Sequence, residues 1–227
     1  ELAPTGRLIE TKSGLVQVAC LPWPRRSNLA NDEECSKLGA DGVNALISEK
    51  LKAVVRWLLS QIRIDIPFVL LGHIMLREGV FNSGKGPGFG DMLLGVDDLM
   101  PFTAAILGDI HKSQAFGRGG RIFYTGSTDR LDFGEERNIP GWWLLTLDSE
   151  QFNKEFIPTP ARRFQTFSPE ALERIPWDPE IIYRVKGEVT QAQYDAMQPL
   201  LASWRNNPLF SEELEVTRTT RVRSEAM

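Results

Sequence analysis

The sequence predicts an α/β (more fully, α+β) architecture, on three observations. Residues 44–63 carry apolar side chains at helical spacing. Three short continuous apolar runs, PFVLLG (67–72), FTAAILG (102–108) and RIFYTGS (121–127), have the length of buried strands. The end of the chain, 180–223, reads as a small β-α-β unit.

Residues 7–23 read as two strands around the turn signal Lys12-Ser13-Gly14, followed by a polar loop. In the helix, Ile47, Leu51, Val54, Val55, Leu58, Leu59 and Ile62 share one face. Pro67 then opens a strand expected to be buried on both faces. The glycine-rich stretch 77–91 reads as a long loop, and the two further apolar runs follow it as strands. GWWLLTLD (141–148) and FNKEFIP (152–158) can pair as a hairpin. The proline-rich segment 158–180 reads as a crossing from a larger domain, 1–158, to a smaller one, 159–227. Beyond it come a strand, IIYRVKGEV, and a helix opened by a Thr190/Gln193 capping box. Pro199 is expected to kink or end that helix.

Composition is ordinary for a globular protein of 227 residues, 42% hydrophobic and 25% charged. No apolar stretch nears the roughly 20 residues that cross a bilayer, so no membrane association is expected. Cys20 and Cys35 lack the spacing of a disulfide framework or zinc knuckle and fit a reducing cytoplasm. The opening ELAPTGRLIETKSG is unlike a signal peptide. It also lacks a starting methionine, which suggests a processed chain or a fragment. A formal net charge of −4 carries no signature of nucleic-acid binding, so local groups would have to supply it.

The only two histidines, His73 and His111, occupy similar settings near the ends of apolar runs. Ligands of open α/β sheets bind at the carboxyl ends of strands. In an extended segment Asp109 and His111, two residues apart, would point the same way. Imidazole and carboxylate together suit zinc, manganese or iron. The same histidines also fit a hydrogen-bonded structural role, and their pattern leaves both readings open. The segment KSQAFGRGGR (112–121) holds Lys112, Arg118 and Arg121 without an acid. Such a loop can wrap a phosphate or be a solvated hairpin.

AAILGDIHKSQ (104–114), followed by RIFYTGSTDRLDFGEE (121–136) and GWWLLTLD, resembles the SbcD-type DNA repair nucleases of the calcineurin-like metallophosphoesterase superfamily. The family pattern is a strand into G-H-x-H-x-x-Q, then Y-x-G-S and D-F-G-E. LLGHIMLREG (70–79) matches the preceding histidine motif, so the resemblance spans residues 70–148. It implies the C-terminal half of a metallophosphoesterase β-sandwich with flanking helices, completed by a partial β-α-β capping, DNA-binding domain over 159–227.

By this resemblance His73 is a ligand of one ion in a two-metal centre, manganese being the expected metal, and His111 a ligand of the other. Asp109 stands where the family commonly has a histidine, a departure that still permits ligation. Ser127 and Arg130 become candidate substrate contacts beside Lys112, Arg118 and Arg121, and the terminal Arg218, Arg221 and Arg223 could touch backbone phosphates. The family's upstream aspartate-x-histidine, second aspartate and G-N-H-[DE] motifs are absent, and with them the general acid. The implied function is a DNA exonuclease or endonuclease subunit acting in repair and recombination, present as a fragment inactive alone. Its implied partners are DNA, an SbcC-type ATPase and a second copy in a homodimer. A phosphoesterase for another ester and a non-catalytic scaffold retaining the fold are the alternatives.

Overall fold

The structure, a computed structural model, describes residues 5–25, 29–30, 35–83, 85–86, 93–147 and 152–217. It is mixed α/β, with several sheets and few helices. Two units divide the chain: Glu1–Thr128 with Ile139–Thr159, and Asp129–Asn138 with Pro160–Met227. Among the described residues no helix is long and apolar enough to cross a membrane.

In the first unit β1 (Thr5–Thr11) and β2 (Gly14–Leu21) form an antiparallel pair. Helix α1 (Ala40–Ser60) follows and buries Ile47, Leu51, Val55 and Leu58, the stripe its spacing predicts. It starts four residues before the expected Asn44, with Asp41 in the first turn near the positive end of the helix dipole. It ends at Ser60, because Ile62, Ile64 and Ile66 are β-branched and Pro67 follows. Each fully buried aliphatic side chain on this stripe is worth about 1.5–3 kcal/mol.

Next come β3 (Phe68–His73), the short parallel pair β4 (Met75–Leu76) and β5 (Leu93–Leu94), and the single-turn α2 (Val96–Leu99). Then follow β6 (Ala104–Gly108), β7 (Gln114–Phe116) and β8 (Ile122–Tyr124). One sheet takes the order β1-β2-β3-β6-β8-β7, with β2, β3, β6 and β8 parallel. Its register sets Ala19, Leu70, Ala105 and Ile122 in one row and Leu21, Gly72, Leu107 and Tyr124 in the next. These rows form one core with α1.

The alternate row, Cys20, Leu71, Ile106 and Phe123, belongs to the other face. There a hairpin of β9 (Gly141–Leu147) and β10 (Phe152–Pro158), as expected from sequence, packs on β8. The Trp143 and Phe152 rings lie 5.6 and 6.3 Å from Phe123. Lys154 sets its ammonium 4.3 Å from the Phe123 centroid and donates to the Gly120 carbonyl, and burial lowers its pKa. The cover thins toward β3, where Leu71 is 42% exposed. β3 is therefore not buried on both faces along its whole length, contrary to expectation.

In the second unit β11 (Arg163–Phe167), β12 (Ile181–Thr190) and β13 (Phe210–Thr217) form a parallel sheet with β12 in the middle. Helix α3 (Gln191–Arg205) links β12 to β13 and starts on the expected capping box, with Thr190 accepting from the Gln193 amide. Pro199 does not end α3, because burying Leu201 and Trp204 on the following turn outweighs the lost backbone bond. β11 lies inside the stretch read as a crossing segment. None of its five residues is a proline, and Phe167 reaches the core.

The DFGEE segment, placed by its position in the chain with the larger domain, groups with the second unit. Phe133 meets Phe164 edge-on at 4.9 Å and lies under the Arg184 guanidinium at 4.4 Å. Glu136 accepts a hydrogen bond from the Thr166 amide. Arg218, Arg221 and Arg223 lie outside the described residues.

Candidate metal centre at the carboxyl ends of the sheet

β3 and β6 are neighbours and parallel, and their register sets His73 beside Gly108. Both histidine-bearing segments therefore leave the sheet at its carboxyl edge. The next residue, Asp109, is the only non-glycine among the described residues with positive φ, at +96°. Holding an L-residue there costs on the order of 1–2 kcal/mol. It turns the chain sharply as β6 ends and leaves the carboxylate 3.8 Å from the imidazole, Asp109 Oδ1 to His73 Nε2. That gap is too long for a direct hydrogen bond. It lies within the span of two ligands on one ion, each bond being about 2.0–2.2 Å.

The imidazole is held from two sides. Trp23, just past the carboxyl end of β2, meets it edge to face at 5.5 Å between centroids. On the other side a Cβ on residue 108 would sit 3.0 Å from His73 Nδ1, so glycine makes room for the ring. Beside the imidazole is an open crevice of about 340 Å³, lined by Cys20, Leu71, Ile106, Gly108 and Thr125 among others.

His111 does not join the pair. β6 ends at Gly108, so the extended geometry that would aim Asp109 and His111 the same way is absent. His111 is exposed, and its carbonyl accepts from the Ser127 amide. Gly126, at φ +77°, lets this loop close on it, since a Cβ there would meet the Ser113 amide and the His111 carbonyl at 3.0 and 3.1 Å. Among the described residues no three His, Cys, Asp or Glu side chains are placed to hold one ion.

The other candidates disperse. Residues 112–121 are not one phosphate-wrapping loop, because β7 runs through them. Lys112 stays exposed near the carboxyl edge, while Arg118 and Arg121 lie before β8, at the opposite edge. Arg121 donates to the Met100 carbonyl at 3.0 Å, and its buried Nε has no hydrogen-bond partner. Arg130 belongs to the second unit, where its guanidinium donates to the carbonyls of Asn138 and Arg162. Ser127 bridges by backbone, its carbonyl accepting from the Gly141 amide.

Two contributors escaped the sequence reading. Trp23 ends the LPW run after β2, and the strand-end rule applied to His73 would have found it. Tyr124 stood in the sequence as the tyrosine of the Y-x-G-S pattern in an apolar strand, with no role attached to it. Its buried hydroxyl accepts from the Leu76 amide at 2.7 Å and donates to the Ile74 carbonyl at 3.1 Å, fixing the chain just after His73.

No protein-family model matches the chain, and no curated protein matches it.

Asp109→Gly separates the two roles of this residue. Glycine accepts the positive φ without strain, so the variant is expected to melt no lower than the parent while manganese affinity falls at least about tenfold. Calorimetry and thermal melting on the same sample decide it. Lowered stability with unchanged affinity would make the carboxylate purely structural.

Proposed function

We propose that this chain is part of a metal-dependent DNA nuclease of the SbcD type, hydrolysing phosphodiester bonds in repair and recombination. Its first unit would be the later half of a metallophosphoesterase sandwich and its second a partial cap. The observation that carries this reading is the 3.8 Å approach of His73 Nε2 and Asp109 Oδ1 at the ends of neighbouring parallel strands. The β9–β10 hairpin stacked on the second face of the sheet supports the sandwich. The motif order over residues 70–148 supports the family.

His73 and Asp109 would hold one divalent ion, manganese being the expected metal. A bound ion supplies Lewis acidity and charge neutralisation for a phosphodiester. Trp23 and Gly108 orient the imidazole, and the strained turn at Asp109 brings the carboxylate to it. The second ion of the family pair would take His111 and ligands from outside the described residues. Two ligands hold an ion loosely, so this chain alone is expected to bind metal without cutting DNA. DNA, an SbcC-type ATPase and a second copy of the chain remain the proposed partners, and the cytoplasm the proposed location.

A non-catalytic scaffold is the second reading, favoured by the absence of a third convergent ligand among the described residues. Titration calorimetry separates the two. Submillimolar manganese binding is expected for the 227-residue chain, weakened at least about tenfold in His73→Ala and little changed in His111→Ala. A folded chain that binds nothing at millimolar manganese would sink the nuclease reading and leave the scaffold.

A further inference from the structure

We propose that Trp23 is a stacking platform for one unpaired nucleobase of the substrate, beside the crevice that His73 lines. This rests on the nuclease reading and names the part of the substrate that reading leaves open.

Trp23 is 44% exposed although its ring packs on His73, so much of the indole remains open to solvent. The crevice next to His73, about 340 Å³, is walled by Leu71, Ile106 and Cys20 and has no lysine or arginine in its lining. Its volume is at the small end of ligand sites, which run from about 300 to 1,000 Å³. A phosphate gains nothing from such walls, whereas a flat, largely apolar ring gains burial and stacking. Leu71, 42% exposed on the same face of β3 as His73, is apolar surface that such a ring would cover.

His73 lines the crevice, and its Nε2 lies 3.8 Å from Asp109 Oδ1, the pair at which a phosphodiester would be held. In a nucleotide the base lies one sugar away from the phosphate. Here the indole lies one ring contact, 5.5 Å, from the imidazole. A base inside a duplex is stacked on its neighbours and cannot reach this platform, so the expected substrate presents a frayed end or a single strand. A small phosphate ester with no ring would leave Trp23 and the crevice unused.

The test is fluorescence anisotropy on the whole chain with a short labelled single-stranded oligodeoxynucleotide and an abasic oligomer of equal length, with manganese and with chelator. The base-bearing oligomer is expected to bind about tenfold more tightly than the abasic one. Trp23→Ala should remove that preference, and Trp23→Phe, which keeps an aromatic face, should retain most of it. Measurable but equal binding of the two oligomers by the parent chain overturns the platform and leaves the nuclease reading standing. A preference untouched in Trp23→Ala overturns it too. Failure to bind either oligomer with manganese present removes both.

Discussion

Trp204→Ala is expected to destabilise the second unit by about 3–5 kcal/mol, the usual cost of deleting a buried tryptophan. Trp204 is 8% exposed and meets Phe167, Trp177, Tyr183 and Phe210 with ring centroids 5.2–5.6 Å apart. It joins helix α3 to all three strands of a small sheet, so most of that core's aromatic contacts pass through it. Small cores have little stability in reserve. The first unit has its own buried cluster, with no member in common. Hydrogen exchange should therefore show protection lost across residues 163–217 and kept in β3 and β6. Equal loss in both units would mean that they unfold as one.

Tyr124→Phe is expected to cost about 2–4 kcal/mol for the removal of one oxygen atom. The Leu76 amide and the Ile74 carbonyl would both stay buried without their partner, and each orphaned group costs about 1–3 kcal/mol. The loss should reach function, because these two bonds hold the chain leaving His73. Manganese affinity should fall with stability, although Tyr124 ligates nothing. The pH dependence gives an independent check. Burial pushes the phenol pKa well above its ordinary value near 10. Above pH 10 the unfolded chain ionises this group first, so the fold loses stability as pH rises through that value. The phenylalanine variant should show a shallower alkaline loss in denaturant titrations followed by circular dichroism. A variant as stable as the parent, with the same alkaline slope, would mean that solvent reaches those backbone groups.

Much of the local architecture was legible from residue order. Helix α1, the strands after Pro67 and before Asp109, the β9–β10 hairpin and the Thr190 capping box all rest on interactions a few residues apart, and periodicity and caps encode those. Boundaries shifted where non-local packing decided. Leu201 and Trp204 keep α3 running through Pro199, and Phe167 draws β11 out of a proline-rich stretch. The sequence also singled out His73 and Asp109, because an imidazole at a strand end and a carboxylate after a buried strand are visible without coordinates.

What residue order could not decide was which of these side chains meet. His73 and Asp109 are 36 positions apart in the chain and come within 3.8 Å only because β3 and β6 pair in parallel, with Gly108 leaving space for the ring. His111, only two residues from Asp109, is left outside the pair by a positive φ that no periodicity reveals. Lys112 and Arg121 look like one basic loop in the sequence, and a three-residue strand sends them to opposite edges of the sheet. The sequence by itself determined the helices, strands and caps, because the forces that choose them act over one or two turns. Strand pairing and register are long-range contacts whose energy depends on the whole packed sheet, so only the tertiary structure decided which side chains meet at its carboxyl edge.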